Sequence, residues 1–355
     1  TNGEIGIVLA ISYLVSMPMQ SLVASVADRS KRFTPVVIIG ICAAFVGAML
    51  MIIYVAPGHS FLLAVGFLLF MTMLKAIQPL LNALAFHLEY QGYVINFSAA
   101  RGIGSLGYAA MSAILGYLCV KLGVNVLVVV PLILLMFLCT LLAGFRNLCP
   151  PCAAVHTTSS VIREGVLRRC KPILLFLTAV LLLSYGHTST AGFMIQIVRF
   201  VGGNSMQMGN LQAYTAVLEL PAMFLFDRLY RRFSCAAMLR FAAVFYLIKS
   251  LFFCFAGSMT GLFLAATMQA FSFGLFTPAS IRYVHEALDP AYANAAQAYI
   301  IIASSAGNVL ATALGGYLLD TVAIRTFLLL ATAVSMCGAL LMQFGAKNEH
   351  PAATM

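Results

Sequence analysis

Four charged side chains interrupt long apolar stretches: Lys75 in Met-Leu-Lys-Ala, Arg101 in Ala-Ala-Arg-Gly-Ile-Gly, Glu219 in Val-Leu-Glu-Leu-Pro and Lys249 in Leu-Ile-Lys-Ser. Placing a charge in hydrocarbon costs several kcal/mol on most scales, so such a residue is by default a candidate for function. The competing reading is a long side chain whose head reaches a water interface, and it fits the two lysines better than Glu219. That acid sits eight residues before Asp227, about 12 Å along a helix at roughly 1.5 Å per residue. A lone carboxylate at that depth is protonated or paired with a cation. An acid whose ionisation depends on a nearby guanidinium, such as that of Arg101, can carry a proton and release it when a solute takes over the cation, which is symport in outline.

Two short basic runs form a second constellation. Asp28-Arg-Ser-Lys-Arg32 recurs as Asp227-Arg-Leu-Tyr-Arg231, 199 residues later. An Asp at a helix end can pair with arginines of its own loop or of a neighbouring helix, so Asp28, Arg29, Arg32, Asp227, Arg228 and Arg231 are candidates for a cytoplasmic gate.

Other matches carry less. Gly102-Ile-Gly-Ser-Leu-Gly107 has the spacing of a dinucleotide fingerprint, but no strand precedes it and an apolar span surrounds it, which indicates close helix packing. Cys149-Pro-Pro-Cys152 with His156 and Cys170 has no second pair of cysteines and no thioredoxin-like surroundings, so no metal and no cofactor is expected. Asn96-Phe-Ser98 has the glycosylation spacing but falls on the cytoplasmic side. His87, His285 and His350 read as solvated loop residues, whereas His187 lies in a span beside Ser184, Thr188 and Ser189 and is a candidate for a pore-facing position. No nucleophile–base pair appears in the spans, so no catalytic residue is assigned and an enzyme is not expected.

The elements that must position these residues follow from composition. Of 355 residues, 62% are apolar and 8% charged, against about 45–50% and about 25% in soluble domains. An ordinary soluble enzyme is excluded. Apolar runs of membrane-spanning length lie near 5–27, 34–56, 61–86, 97–120, 123–145, 172–197, 207–227, 235–256, 261–282, 291–317 and 324–345. With loops assigned alternately, one side carries fourteen Lys and Arg, from Arg29 to Lys347, and the other only Lys121, Arg199 and Arg325. The richer side belongs in the cytoplasm, which puts the chain start outside and the C-terminus inside, in the plasma membrane. The same topology accounts for the net charge of +10, and no nucleic-acid partner is expected.

The basic, Pro-containing stretch 146–171 reads as a cytoplasmic linker between a bundle over 1–145 and a six-helix bundle over 172–345, with a tail over 346–355. The repeat reaches beyond the Asp-Arg motif: Pro79 matches Pro278 at the same offset, and Ala113-Ile-Leu-Gly-Tyr-Leu118 and Gly107 match Ala313-Leu-Gly-Gly-Tyr-Leu318 and Gly307 at 200. Aligned this way, the first bundle lacks the span corresponding to 172–197. The pattern is that of a twelve-span protein without its first span. Charge breaks the symmetry, since Glu219 corresponds to Gln20 and Arg101 to Ile301.

These residues resemble the major facilitator superfamily, and within it the proton symporters related to lactose permease, nucleoside permeases and phenylpropionate permease-like proteins. The resemblance rests on Phe97-Ser-Ala-Ala-Arg-Gly-Ile-Gly-Ser-Leu-Gly-Tyr108, on Leu218-Glu-Leu-Pro through Asp227-Arg-Leu-Tyr-Arg-Arg-Phe233, and on Ile281-Arg-Tyr-Val284. It implies an all-α membrane protein of two helical bundles, with eleven of twelve transmembrane helices in this chain. It also implies that Arg101 is the substrate-binding arginine of the fifth helix, Tyr108 the aromatic that stacks on substrate and Glu219 the essential acid of the eighth helix, with Lys249 standing where these symporters have a ninth-helix arginine. The chain departs from lactose permease at Asn82, where that protein has an acid, and at Gln269 and Ser272, where it has the His and Glu of its proton relay. The expectation is a secondary active transporter, a proton-coupled importer of a small polar solute such as a sugar, nucleoside or organic acid. It would act by alternating access as a monomer in the bilayer, with substrate and H⁺ as partners and Glu219, Arg101, Lys249, Tyr108, Asn82, Lys75 and Gln269 as site residues. An efflux antiporter of the same fold and a non-transporting membrane sensor are the alternatives.

Overall fold

The computed structural model describes residues 1–29, 35–55, 61–90, 97–145, 171–287 and 290–346; within these helices the side chains of 24–25, 27–29, 35, 79, 82–90, 97–101, 145, 171–172, 227, 285, 287 and 290–298 lie outside the description. The described residues form helices and no strands, as the apolar runs require: in lipid every backbone amide must bond within its own segment. In chain order they are α1 (Asn2–Arg29), α2 (Pro35–Val55), α3 (Phe61–Tyr90), α4 (Phe97–Leu122), α5 (Val126–Phe145), α6 (Lys171–Gly192), α7 (Met194–Phe200), α8 (Ser205–Tyr230), α9 (Cys235–Phe255), α10 (Met259–Thr267), a π-helical turn (Ala270–Gly274), α11 (Leu275–Ala287), α12 (Pro290–Thr321) and α13 (Ile324–Gly345). Each of the eleven spans read from the sequence has a helical counterpart, with α10, the π turn and α11 together forming one.

Ten of these segments are long and apolar enough to cross a membrane by length and composition. The exception is α8, 26 residues long but diluted by Gln207, Asn210, Gln212 and Glu219. Its polarity comes from the residues that make it a candidate for function.

The chain divides into two compact units. One holds 7–103 and 118–158, the other 1–6, 104–117 and 159–355. In the first, α2 packs on α3 and α5 around Ile39, Val46, Ala76, Ile77 and Leu142. In the second, α6 packs along α12 and α13 while α9 runs against α13, with Phe176, Leu183, Leu239, Ala243 and Met342 sealed between them.

Glycines set the closest approaches in the larger unit. A Cβ on Gly116 would come within 3.0 Å of the Gly209 Cα and 2.8 Å of the Ser205 carbonyl, and one on Gly316 within 2.9 Å of the Gly6 Cα. Gly116 and Gly316 are repeat partners at offset 200, so the same small-residue device brings α4 to α8 and α12 to the first turn of α1. At that first turn the Asp320 carboxylate accepts from the Asn2 and Gly3 amides at 2.9 and 2.7 Å, capping from another helix the donors a helix start leaves open.

Candidate functional site

The residue types flagged in the C-terminal half converge in one hydrogen-bonded chain. Lys249 on α9 is 6% exposed and Gln269, between α10 and the π turn, 2%. The Lys249 ammonium donates to Gln269 Oε1 at 2.5 Å, and Gln269 Nε2 donates to Glu219 Oε1 on α8 at 2.7 Å. The amide has one possible orientation here, because an ammonium cannot accept and a carboxylate takes the amide's donor. Acid and cation are thus joined through a neutral spacer that carries the polarity of both. On the far side of Lys249, His187 Nδ1 lies 3.2 Å from Nζ.

Local backbone irregularities place these groups. Pro221 lies inside α8 two residues after Glu219, where a missing N–H and a ring loosen the helical ladder. The π turn begins one residue after Gln269, and the Gly274 amide reaches five residues back to the Gln269 carbonyl at 3.0 Å. Such single-turn widenings recur at functional sites because they re-aim side chains. Here Phe273 lies stacked on the His187 ring at a centroid distance of 5.1 Å. Gly274 keeps the turn close to α8, since a Cβ there would meet the Ala222 Cβ at 3.1 Å and the Glu219 Cα at 3.5 Å. Next to Lys249, Ser250 bonds Thr332 of α13 at 2.9 Å and pins that turn of α9.

The other candidates fall elsewhere. Lys75 on α3 lies in the smaller unit, its ammonium 3.1 Å from Ser12 Oγ and 3.0 Å from the centroid of the Tyr13 ring, both on α1. Gln20, the repeat counterpart of Glu219, donates to the Lys75 carbonyl at 3.2 Å. Tyr108 on α4 is 55% exposed. Arg228 and Arg231 are exposed. Arg32 and the side chains of Asp28, Arg29, Asn82, Arg101 and Asp227 lie outside the described residues. Among the described residues no group of His, Cys, Asp and Glu is arranged to hold a metal ion.

Of the two departures from lactose permease only one joins the site, and one group of residues goes beyond those selected from the sequence. Ser272, at the position of the second relay residue of lactose permease, bonds only backward to the Met268 and Gln269 carbonyls at 2.8 and 3.4 Å, while Gln269, at the other relay position, is central to the chain. Near the Asp227 motif, Tyr230 donates to Glu286 at 2.5 Å, and Arg282 lies over the Tyr230 ring, 4.6 Å from its centroid, and 3.8 Å from Glu286. The i,i+4 spacing of Arg282 and Glu286 was the available signal for this group.

Solved structures share the fold. The chain superposes on a variant of the nucleoside transporter NupG with a TM-score of 0.80 at 16% identity, covering 98% of this chain and 91% of that one. An auto-inhibited POT family peptide transporter gives 0.74 at 13% identity, covering 98% and 89%. The fold is therefore the one these two transporters share. In sequence, the profile of the MFS_1 like family matches residues 1–329, and the chain belongs to that family. It is 26% identical to a maltose permease of Geobacillus stearothermophilus over 356 residues, 99% of this chain and 88% of the relative. It is a multi-pass membrane transporter of the major facilitator type, not an enzyme.

Proposed function

We propose that this transporter couples uptake of a small polar solute to proton entry, with Glu219 as the proton-carrying acid. The observation that carries this reading is the chain from Glu219 through Gln269 to Lys249. An ionised Glu219 places a negative charge one amide away from Lys249, so protonation of Glu219 weakens the hold of the amide oxygen on the ammonium and leaves Lys249 readier to bind a solute acceptor. A solute that supplies an acceptor oxygen to Lys249 favours the protonated acid, and its departure favours release of the proton. Binding of solute and proton are then linked in both directions.

The relatives are named for maltose, nucleosides and peptides, which supports a solute rich in hydroxyls, amides or charge, and cations outnumber acids in the spans. Arg101, Tyr108, Asn82 and Lys75 are further candidates for contact with it. The Asp28–Arg32 and Asp227–Arg231 runs act as the cytoplasmic gate, and the excess of basic loops supports a cytoplasmic-membrane location with the C-terminus inside. Alternating access by a monomer is the mode common to such folds.

The test is accumulation of radiolabelled maltose, uridine or a dipeptide by proteoliposomes under an imposed proton gradient. The wild type accumulates one of them uphill. Glu219→Gln loses accumulation while retaining exchange of the same solute. Full uphill uptake by Glu219→Gln removes the proton role, and accumulation only on inverting the gradient makes the protein an exporter.

A further inference from the structure

His187 is tied into the chain from the side opposite Gln269. Its Nδ1 lies 3.2 Å from the Lys249 ammonium, and an ammonium has donors only. The bond therefore needs a lone pair on Nδ1. A neutral imidazole with a bare Nδ1 carries its proton on Nε2, so the contact selects one tautomer, and an imidazolium cannot make it at all. No described residue bonds Nε2.

The ring has little freedom to escape this geometry. Phe273 from the π turn stacks on it at an interplanar angle of 15°, and Tyr246, one turn before Lys249, meets it edge-on at 86°. Its own helix is fixed on both sides. Gly186 lets α6 close on Ser335 of α13, which a Cβ would strike, and Thr188 bonds Asn308 of α12 at 2.6 Å. Among the described residues the charged groups of the cluster are Lys249 on α9 and Glu219 on α8, with Tyr246 its phenol; Gln269 beside the π turn and Phe273 in it, like Asn308 of α12 and Ser335 of α13, are neutral.

We propose that His187 is a positioning residue for Lys249: the neutral ring, protonated on Nε2, uses its Nδ1 lone pair to hold the ammonium against Gln269 and leaves the Nε2–H as a donor for a solute oxygen. This rests on reading the Glu219–Lys249 chain as the transport site, but the tautomer is independent of any coupling.

The test is nitrogen NMR of the full chain labelled with ¹⁵N-histidine in lipid nanodiscs, with the His187 signals identified by difference against His187→Asn. Expected is an unprotonated Nδ1 and a protonated Nε2 in the wild type. Lys249→Arg, which also has donors and no lone pair, retains that pattern, while Lys249→Met gives a mixture of tautomers. A protonated Nδ1 in the wild type overturns the proposal, as does a pattern unchanged in Lys249→Met. Comparing Met with Arg separates positioning from packing, because both side chains fill the space and only one donates. Failure of proton-driven uptake with the expected tautomer present overturns the coupling reading and leaves this one standing.

Discussion

Lys249 and Lys75 are both lysines in the middle of apolar helices, and they are housed in different ways. Lys249 is buried among acceptors: an amide oxygen on one side, an imidazole nitrogen on the other, and a carboxylate one hydrogen bond further on. Lys75 rests over an aromatic face beside one hydroxyl, and Ser12 already bonds the Leu9 carbonyl at 2.7 Å. The first lysine is the donor to an amide oxygen within a polar chain; the second is solvated by a ring face and a hydroxyl that already has its own acceptor. An intramembrane cation is therefore informative through the groups whose bonding depends on it, more than through its own burial.

That difference sets the largest predicted effect. Lys249→Met leaves the Gln269 oxygen without its ammonium donor and cuts the link from Glu219 through the amide to Lys249; breaking such a buried arrangement by removing one partner costs about 3–5 kcal/mol. The expected result is loss of solute accumulation of 100-fold or more in proteoliposomes together with a lowered melting temperature in detergent. Lys75→Met, in the same assays, lowers either by far less. Equal losses for the two lysines, or a larger one at Lys75, would end the distinction drawn between them.

Repeat-related glycines sharpen the same point, that like residues differ by what surrounds them. Gly307 packs on the backbone of α6, where a Cβ would strike the Leu181 carbonyl, whereas among the described residues nothing lies within 4 Å of a Cβ on its counterpart Gly107. Overpacking of this kind costs about 1–3 kcal/mol, so Gly307→Ala should lower the melting temperature by several degrees. Gly107→Ala should leave it unchanged or slightly raised, since alanine is the better helix former by about 1 kcal/mol. A comparable loss at both glycines would mean that the repeat imposes the same packing in each half.

Much of the fold is legible in the sequence, because in lipid an apolar run of sufficient length has few alternatives to a helix. The eleven runs each fall on helical segments, one of them on α10, the π turn and α11 together, and they include α8, whose polar residues dilute its hydropathy. The residues of the site were legible one by one: Glu219 and Lys249 by charge, Gln269 by its place in a family resemblance, His187 as a polar interruption. Their connection was not, since it depends on the π turn after Gln269 and on Gly274 admitting α8 to within a few ångströms. A widened turn has no distinct residue pattern. Gln269 appeared from the sequence as a departure from a relay residue, yet an amide can bridge an acid and a base where a histidine would have titrated. The Asp320 cap on α1 was hidden for another reason, as its partners are backbone amides more than 300 residues away in the chain.

The smallest predicted effect concerns how Lys75 is held. If the Tyr13 ring face is what stabilises the ammonium, the phenol hydroxyl is dispensable and Tyr13→Phe should change the melting temperature by no more than a degree or two, since the two rings attract a cation comparably. Tyr13→Leu keeps apolar bulk and removes the quadrupole, which is worth about 0.5–2 kcal/mol depending on desolvation, so it should lower stability measurably. In a Lys75→Met background the same Tyr13→Leu change should cost less, because the interaction it removes is already gone. An undiminished cost in that double variant would assign the ring to packing alone. It would leave Ser12 as the only described side chain holding Lys75, and would make that lysine, like Lys249, a cation with bonding capacity to offer a solute.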